Sequence, residues 1–205
     1  MSSKKITAIV FDLGNVLLPF DYTVAIEKLN QIEPKLGNRF IEFYNSNYHL
    51  HRDFEKGIIS ETSFLDTMLN AVEQKINAET FCKIFSDIFT VNENVVSLLP
   101  KLKKDYKLFL LSNTNSIHKE FGWKKYEFLN NFDKMILSHE VKSLKPEEKI
   151  YREVEKASGL SSSKHFYIDD IPEYVRAAKK MGWDAVVFTG YEKLVFDLQE
   201  RDILI

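Results

Sequence analysis

Four short polar clusters interrupt the apolar runs of this 205-residue chain. Asp12 closes AIVFD, Ser112 and Asn113 follow KLFLL, Lys145 sits in SLKPEEKIY just ahead of a helical pattern, and Asp169 and Asp170 follow HFYI. A lone aspartate at a strand end is ordinarily a turn or cap residue, and Ser-Asn-Thr is ordinary turn composition. Adjacent carboxylates are harder to account for, because they repel unless a cation or hydrogen-bond donors compensate.

Taken together, the clusters offer carboxylates, an ammonium group and short polar donors, a set suited to phosphoryl transfer through an aspartyl-phosphate. Attack by Asp12 and later attack by water would split hydrolysis into two easier steps. Asp12 and Asp170 provide hard oxygen ligands of the kind Mg2+ takes beside phosphate oxygens and water. Such an ion offsets repulsion between an anionic nucleophile and an anionic phosphate. Lys145 would neutralise the phosphoryl oxygens, Ser112 and Asn113 would add directional donors, and backbone N–H groups of the Leu13-Gly14 turn would complete the cradle.

Convergence of these residues requires a particular scaffold. Runs rich in β-branched and aromatic residues predict strands over Ile6–Phe11, Lys107–Leu111, His165–Ile168 and Ala185–Phe188, with a weaker one over Lys134–Ser138. Helical patterns over Pro146–Ser158 and Pro172–Met181 each begin with a proline suited to a first helical position. Alternation of this kind predicts an α/β fold, a doubly wound parallel sheet whose ligands bind at the carboxyl ends of the strands.

The alternation lapses between the first two strands. Asp21–Ile32, Arg39–Lys56, the apolar stripe from Phe64 to Val72 behind a Ser60 cap, and the stripe from Phe81 to Ile88 behind Asn77 all read as helices. Residues 20–90 are therefore expected to form a small inserted helical domain, with 1–19 and 91–205 forming the core. Pro100 should kink or shorten a helix over Glu93–Lys104.

Composition narrows the function classes. The chain is 44% hydrophobic with a net charge of -2 from well-mixed acidic and basic residues, so no footprint for nucleic acid or anionic membrane is visible. The single cysteine, Cys82, excludes an intrachain disulfide framework and suits a reducing compartment. No apolar run reaches signal-peptide or membrane-span length, which predicts a cytoplasmic location. A small-molecule substrate, in a monomer or homodimer, is the expectation.

FDLGNV, LLSNTN, Lys145 in LKPEEKIY, and YIDD followed by a helix and GWDAVVF resemble the four motifs of the haloacid dehalogenase (HAD) superfamily. The resemblance spans nearly the whole chain, and the helical insert matches the specificity cap of the helical-cap subfamily IA. FDLGNV, HRDFEKGIIS and LSNTN are also similar to a bacterial branch that includes α-D-glucose-1-phosphate phosphatase. This implies Asp12 as nucleophile and metal ligand, the backbone carbonyl of Gly14 as a further ligand, and Ser112, Asn113 and Lys145 on the phosphoryl group. It implies Asp170 as a direct magnesium ligand and Asp169 as one acting through water or a hydrogen bond.

Gly14 departs from the pattern, since most phosphatases of the superfamily carry there an aspartate that protonates the leaving group. General acid–base help is worth about 10²–10⁴ in rate. A replacement could come from Asp21, or from His49, His51 or Glu55 in a polar cluster with Arg52 that would also serve cap specificity. Alternatively the leaving group needs little help, as an anomeric hydroxyl does, which favours a hexose 1-phosphate. Two further readings remain: a metal-independent dehalogenase, for which Asp169-Asp170 would be an unexplained repulsive pair, and a non-catalytic phosphometabolite-binding regulator. Trp123 and Trp183 are expected as core or rim aromatics, with Trp123 also placed to wall a substrate pocket.

Overall fold

The computed structural model describes residues 6–203. At its centre, β1 (Ala8–Phe11), β2 (Lys107–Ser112), β3 (Lys134–Leu137), β4 (His165–Asp169) and β5 (Asp184–Val187) form one parallel sheet in the order β3-β2-β1-β4-β5. All five predicted strands are present, with ends shifted by at most two residues. The chain runs outward from β1 in both directions, so the switch point of the sheet falls at the end of β1.

Alternation along the strands builds two layers of core. Ile9, Phe11, Leu110 and Ile168 pack on one face, whereas Ala8, Val10, Phe109 and Tyr167 pack on the other. Burial of both faces explains why these strands read as unbroken apolar runs. Helices α1 (Thr23–Ile32), α2 (Leu36–Ser46), α3 (Tyr48–Glu55), α4 (Glu61–Ala71) and α5 (Ala78–Ser86) follow β1, then the short α6 (Glu93–Val96) and α7 (Leu99–Leu102) lead to β2. After β3 come α8 (Ser138–Val141) and α9 (Glu148–Ser158); α10 (Pro172–Lys180) joins β4 to β5, and α11 (Tyr191–Gln199) follows β5.

Helices α1 to α5 bury a separate cluster that includes Leu29, Phe40, Phe54, Phe64, Phe81 and Phe85. Ile117 belongs to the same cluster and Phe121 packs against it, so the layer leans on chain that follows β2 as well as on the insert. Ser60 and Asn77 cap α4 and α5 as expected, accepting from the N–H groups of Ser63 (3.1 Å) and Thr80 (2.8 Å). Cys82 is buried.

Two expectations need correction, and a third, the interruption near Pro100, is met. The helix predicted over Arg39–Lys56 is two helices parted at Asn47, whose side-chain amide donates to the Phe43 carbonyl at 2.9 Å and competes with the helical ladder. Pro146 is not in a helix, because the Glu147 backbone is extended and α9 starts at Glu148; the Lys145–Pro146 peptide is cis. Glu93–Lys104 is split into α6 and α7, with Pro100 in the first turn of the second. No described helix is long and apolar enough to cross a membrane.

Gly37 lets α1 and α2 touch backbone to backbone. A Cβ there would lie 2.1 Å from the Ile26 carbonyl oxygen, and neither backbone can yield cheaply. Gly37→Ala should therefore destabilise the protein by about 1–3 kcal/mol, the range for overpacking. Urea denaturation checks this, and an unmoved midpoint would show that the helices are not in contact at Gly37.

Candidate active site

The carboxyl ends of β1, β2 and β4 bring the chemistry-bearing residues together. Asp12 extends β1 by one ladder bond, its N–H donating to the Ile168 carbonyl at 2.9 Å. Ser112 closes β2 and Asp169 closes β4. Lys145 arrives from the loop before α9 and is 1% exposed. Its ammonium donates to Asp12 Oδ1 at 2.8 Å and to Asp169 Oδ2 at 2.7 Å. The rings of Tyr174 and Tyr167 lie 5.0 and 6.0 Å from Nζ and present π faces to the charge.

Asn113 determines where Lys145 sits. Its Oδ1 accepts from the Lys145 N–H at 2.8 Å and its Nδ2 donates to the Lys145 carbonyl at 3.2 Å, so the amide clamps the Lys145 main chain on both sides of its Cα. The amide expected to be a free donor is thus already engaged, and the Ser112 hydroxyl, donating to the Asn113 carbonyl at 3.3 Å, is the more adaptable group. Leu13 N–H turns back onto Asp12 Oδ1 at 2.7 Å and fixes the carboxylate rather than standing free.

The aspartate pair divides by environment. Asp169 is fully buried; Oδ1 accepts from the Ile171 N–H at 2.8 Å and Oδ2 accepts from Lys145 and from the Tyr167 hydroxyl. Asp170 is half-buried, with a single side-chain donor, Asn15 Nδ2, at 3.1 Å. Asn15 reaches it from a left-handed conformation (φ 54°) that asparagine tolerates better than most residues. One oxygen from each of Asp12, Asp169 and Asp170 can be chosen so that all lie within 4.8 Å of one another.

Burial is the largest influence on these groups. It pushes the Asp12 carboxyl up to about 8, against the pull of Lys145 and with the push of Asp169 and Asp170. It raises Asp170 as well, against the Asn15 hydrogen bond. Burial would lower Lys145, but Asp12 and Asp169 outweigh it and hold the ammonium above its usual range.

A cavity of about 130 Å³ opens from this cluster toward the helical layer, bounded by Leu13, Gly14, Ser112 and Asn113 at one end and by Tyr44, His51 and Glu55 at the other. Phe20, Tyr22, Phe89, His118 and Trp123 also line it. Among the described residues, three buried side-chain atoms make no hydrogen bond, namely His51 Nδ1, His118 Nε2 and Trp123 Nε1, and all three residues line this cavity. Elsewhere such atoms are nearly always paired, and each left bare costs about 1–3 kcal/mol.

The cluster of His49, His51, Arg52 and Glu55 separates on α3. His51 and Glu55 are buried and paired, Nε2 to Oε1, at 3.2 Å. His49 is exposed and Arg52 is partly exposed, 3.9 Å from Glu55. Asp21 is exposed too, and its Oδ1 accepts from the Thr23 N–H at 2.8 Å at the start of α1. Trp123 lines the cavity, while Trp183 lies in the core, stacked on His165 at 4.7 Å. Tyr44 and Tyr48 are cavity residues that no motif marked, although the spacing of 44, 48, 51 and 55 follows a helical face. No motif marked His118 either; its backbone N–H donates to Asn115 Oδ1 at 2.9 Å.

The sequence and the fold match known proteins. The haloacid dehalogenase-like hydrolase family matches residues 9–188. A D-ribitol-5-phosphate phosphatase from Bacteroides thetaiotaomicron is 24% identical over 186 residues, covering 86% of this chain and 88% of that protein. A phosphorylated carbohydrates phosphatase from Thermotoga maritima is 25% identical over 188 residues, covering 87% and 83%. The crystal structure of a HAD family enzyme from B. thetaiotaomicron, in complex with magnesium and inorganic phosphate, superposes with a TM-score of 0.77 at 27% identity, covering 89% of this chain and 93% of that one.

The raised carboxyls have a thermodynamic sign. A group that titrates from 3.8 unfolded to about 8 folded favours the protonated native state, so its contribution to stability falls as pH rises through that window. His118 and His165 are held below their usual range and act in the opposite sense, but they are common to wild type and Asp12→Asn. In chelator, the stability of wild type minus that of Asp12→Asn, from urea denaturation, should therefore decline between about pH 5 and about pH 8. A flat difference would mean that Asp12 is ionised throughout.

Proposed function

Starting from the fact that this chain belongs to the haloacid dehalogenase-like hydrolase family, we propose that it is a magnesium-dependent phosphatase of small phosphorylated carbohydrates or polyols. The observation that carries this reading is the gathering of Asp12, Asp169 and Asp170 around the Lys145 ammonium, at the mouth of a cavity walled by unpartnered polar atoms. The names of the two phosphatase relatives, both acting on phosphorylated carbohydrates or a polyol phosphate, support the substrate class.

Asp12 is the proposed nucleophile, fixed by Leu13 N–H and Lys145 so that one carboxylate oxygen meets the phosphorus. Lys145 opposes the burial that raises the Asp12 carboxyl and faces charge that builds on the phosphoryl oxygens. Ser112, Asn113 and the Leu13-Gly14 turn surround the phosphoryl group. The donor set fits a hard divalent cation, because carboxylate oxygens alone compose it. Asp12 and Asp170, with the Gly14 carbonyl, would hold the ion; both oxygens of Asp169 are committed to protein donors, which suits a supporting role. A bound magnesium ion supplies positive charge that offsets the repulsion among the carboxylates and the phosphate.

The helical layer over residues 20–90 acts in this reading as the cap, closing the cavity over the leaving group. Lys56 reaches Glu147 at 2.6 Å, and Gly57 (φ 69°) brings the turn so close to α8 that a Cβ would lie 2.7 Å from the His139 carbonyl. Aromatic walls with scattered donors suit a small hydroxylated leaving group, and a hexose 1-phosphate is one member of the class.

Purified protein should release phosphate from sugar and polyol phosphates with Mg2+ and lose that activity in chelator. Asp12→Asn should lower turnover by at least about 10³, as expected on losing the group that forms the covalent intermediate. Mg2+ should also raise the melting temperature more at about pH 8 than at about pH 5, where protons compete for the raised carboxyls. Release that survives chelation, or survives Asp12→Asn, would refute the reading.

A further inference from the structure

An ester oxygen leaving phosphorus as an alkoxide needs a proton, and water attacking the aspartyl-phosphate must lose one. Position 14 cannot provide for this, since glycine has no acid and the ring of Phe20 stands 3.2 Å from where its Cβ would be. Asp12 is committed to attack, and Asp169 to Lys145, Tyr167 and the Ile171 N–H. The proton must come from another wall of the cavity.

Titratable side chains on that wall are Tyr22, Tyr44, Tyr48, His51, Glu55 and His118. The three tyrosines are pushed up by burial and are poor acids. His118 is pushed well below its usual range by burial and by neighbouring His51, with the Phe85 carbonyl pulling the other way. Its Nδ1 lies 3.3 Å from the Asn115 amide nitrogen, while Asn115 Oδ1 accepts from a backbone N–H. His118 is thus a neutral Nε2–H tautomer, able to donate a hydrogen bond but not to give up a proton.

His51 differs. Its Nε2 is held 3.2 Å from the buried carboxylate of Glu55, and its Nδ1 is buried without a partner. Tyr48 stacks on the ring at 5.5 Å, with Tyr44 and Phe64 against its edges. A carboxylate on one ring nitrogen fixes the imidazole's orientation and tautomer, which leaves the other nitrogen to exchange protons. Both groups sit on α3, across the same cavity from Gly14 and Ser112.

We propose that the Glu55–His51 pair is the proton relay of this site, with His51 Nδ1 as the atom that exchanges protons; this rests on the phosphatase reading above. In the first step an Asp12 oxygen bonds to phosphorus, and the bond to the ester oxygen breaks with its electron pair remaining on that oxygen. The ester oxygen takes the Nδ1 proton and leaves as an alcohol, so the imidazolium becomes neutral. In the second step a water oxygen bonds to phosphorus, the Asp12–phosphorus bond breaks, and the water proton returns to Nδ1. Glu55 is a positioning residue that keeps its charge throughout.

The test compares wild type, His51→Gln and Glu55→Gln on two esters. The leaving group of 4-nitrophenyl phosphate needs no proton near neutral pH, whereas that of D-ribitol 5-phosphate, or of whichever sugar phosphate wild type hydrolyses best, does. For His51→Gln, kcat/KM on the sugar or polyol phosphate should fall about 10²–10⁴-fold while changing less than about threefold on 4-nitrophenyl phosphate. Glu55→Gln should show the same selectivity with a smaller loss, and it serves if the histidine variant does not fold. Because dephosphorylation is slowed, His51→Gln should also give a burst of 4-nitrophenol that wild type lacks. Parallel losses on both esters, or no loss on either, overturn the proposal while leaving the phosphatase reading intact. A wild type that cleaves neither ester overturns both.

Discussion

One buried ammonium governs the site. Lys145 is 1% exposed, and removing a lysine from water costs several kcal/mol unless its charge is met at close range. Asp12 and Asp169 meet it at 2.8 and 2.7 Å, but that solution places two carboxylates beside each other, with Asp170 close by. Neither charge type could be buried alone. The strand ends of β1 and β4 must hold the acids while the loop before α9 delivers the base. Asn113 fixes that loop through both main-chain polar groups of Lys145. The sheet therefore acts as the frame on which one cation and its counter-charges are kept in register.

The helical layer is tied to this frame by the Lys56–Glu147 ion pair, by the Ser116 hydroxyl donating to Glu61, and by the close approach of Gly57 to His139. The result is a cavity with two unlike ends. The strand-end side is charged and rigid. The helical side is aromatic, with polar atoms of His51, His118 and Trp123 left bare. Phosphate and leaving group, which differ in the same way, would face the matching ends.

The sequence disclosed the charged end well and the helical end poorly. Asp12, Ser112, Lys145 and Asp169-Asp170 each follow a strand or precede a helix, and parallel strands send their carboxyl ends to one side, so pattern alone brings them together. Pattern does not reveal how a side chain is oriented once it arrives. Asn113 looked like a free donor because its type is right, yet its amide is held by a backbone 32 residues away. The break at Asn47 was hidden for a similar reason, since a single asparagine rarely outweighs the helical periodicity around it. His49, His51, Arg52 and Glu55 formed one cluster in sequence. Only the roll of α3 against α4 and α5 separates the buried pair, His51 and Glu55, from the two outward-facing residues.

Gly14 joins the two ends of the cavity. In the sequence it was an absence, a missing acid that favoured esters with good leaving groups such as anomeric phosphates. In the structure the space beside it is taken by Phe20, so the site is built around the glycine rather than depleted by it. An aromatic ring there replaces a charge that would have added to the repulsion among Asp12, Asp169 and Asp170, and it moves any proton donor to the far wall. A donor on the helical layer reaches the leaving group only when that layer is closed over it. Proton transfer would then be coupled to closure, whereas an acid on the β1 turn would act in the open site as well. Restriction to anomeric phosphates follows only if no donor exists at all. With a histidine held by a carboxylate on the opposite wall, ordinary sugar and polyol alcohols fall within the chemistry that this cavity can support.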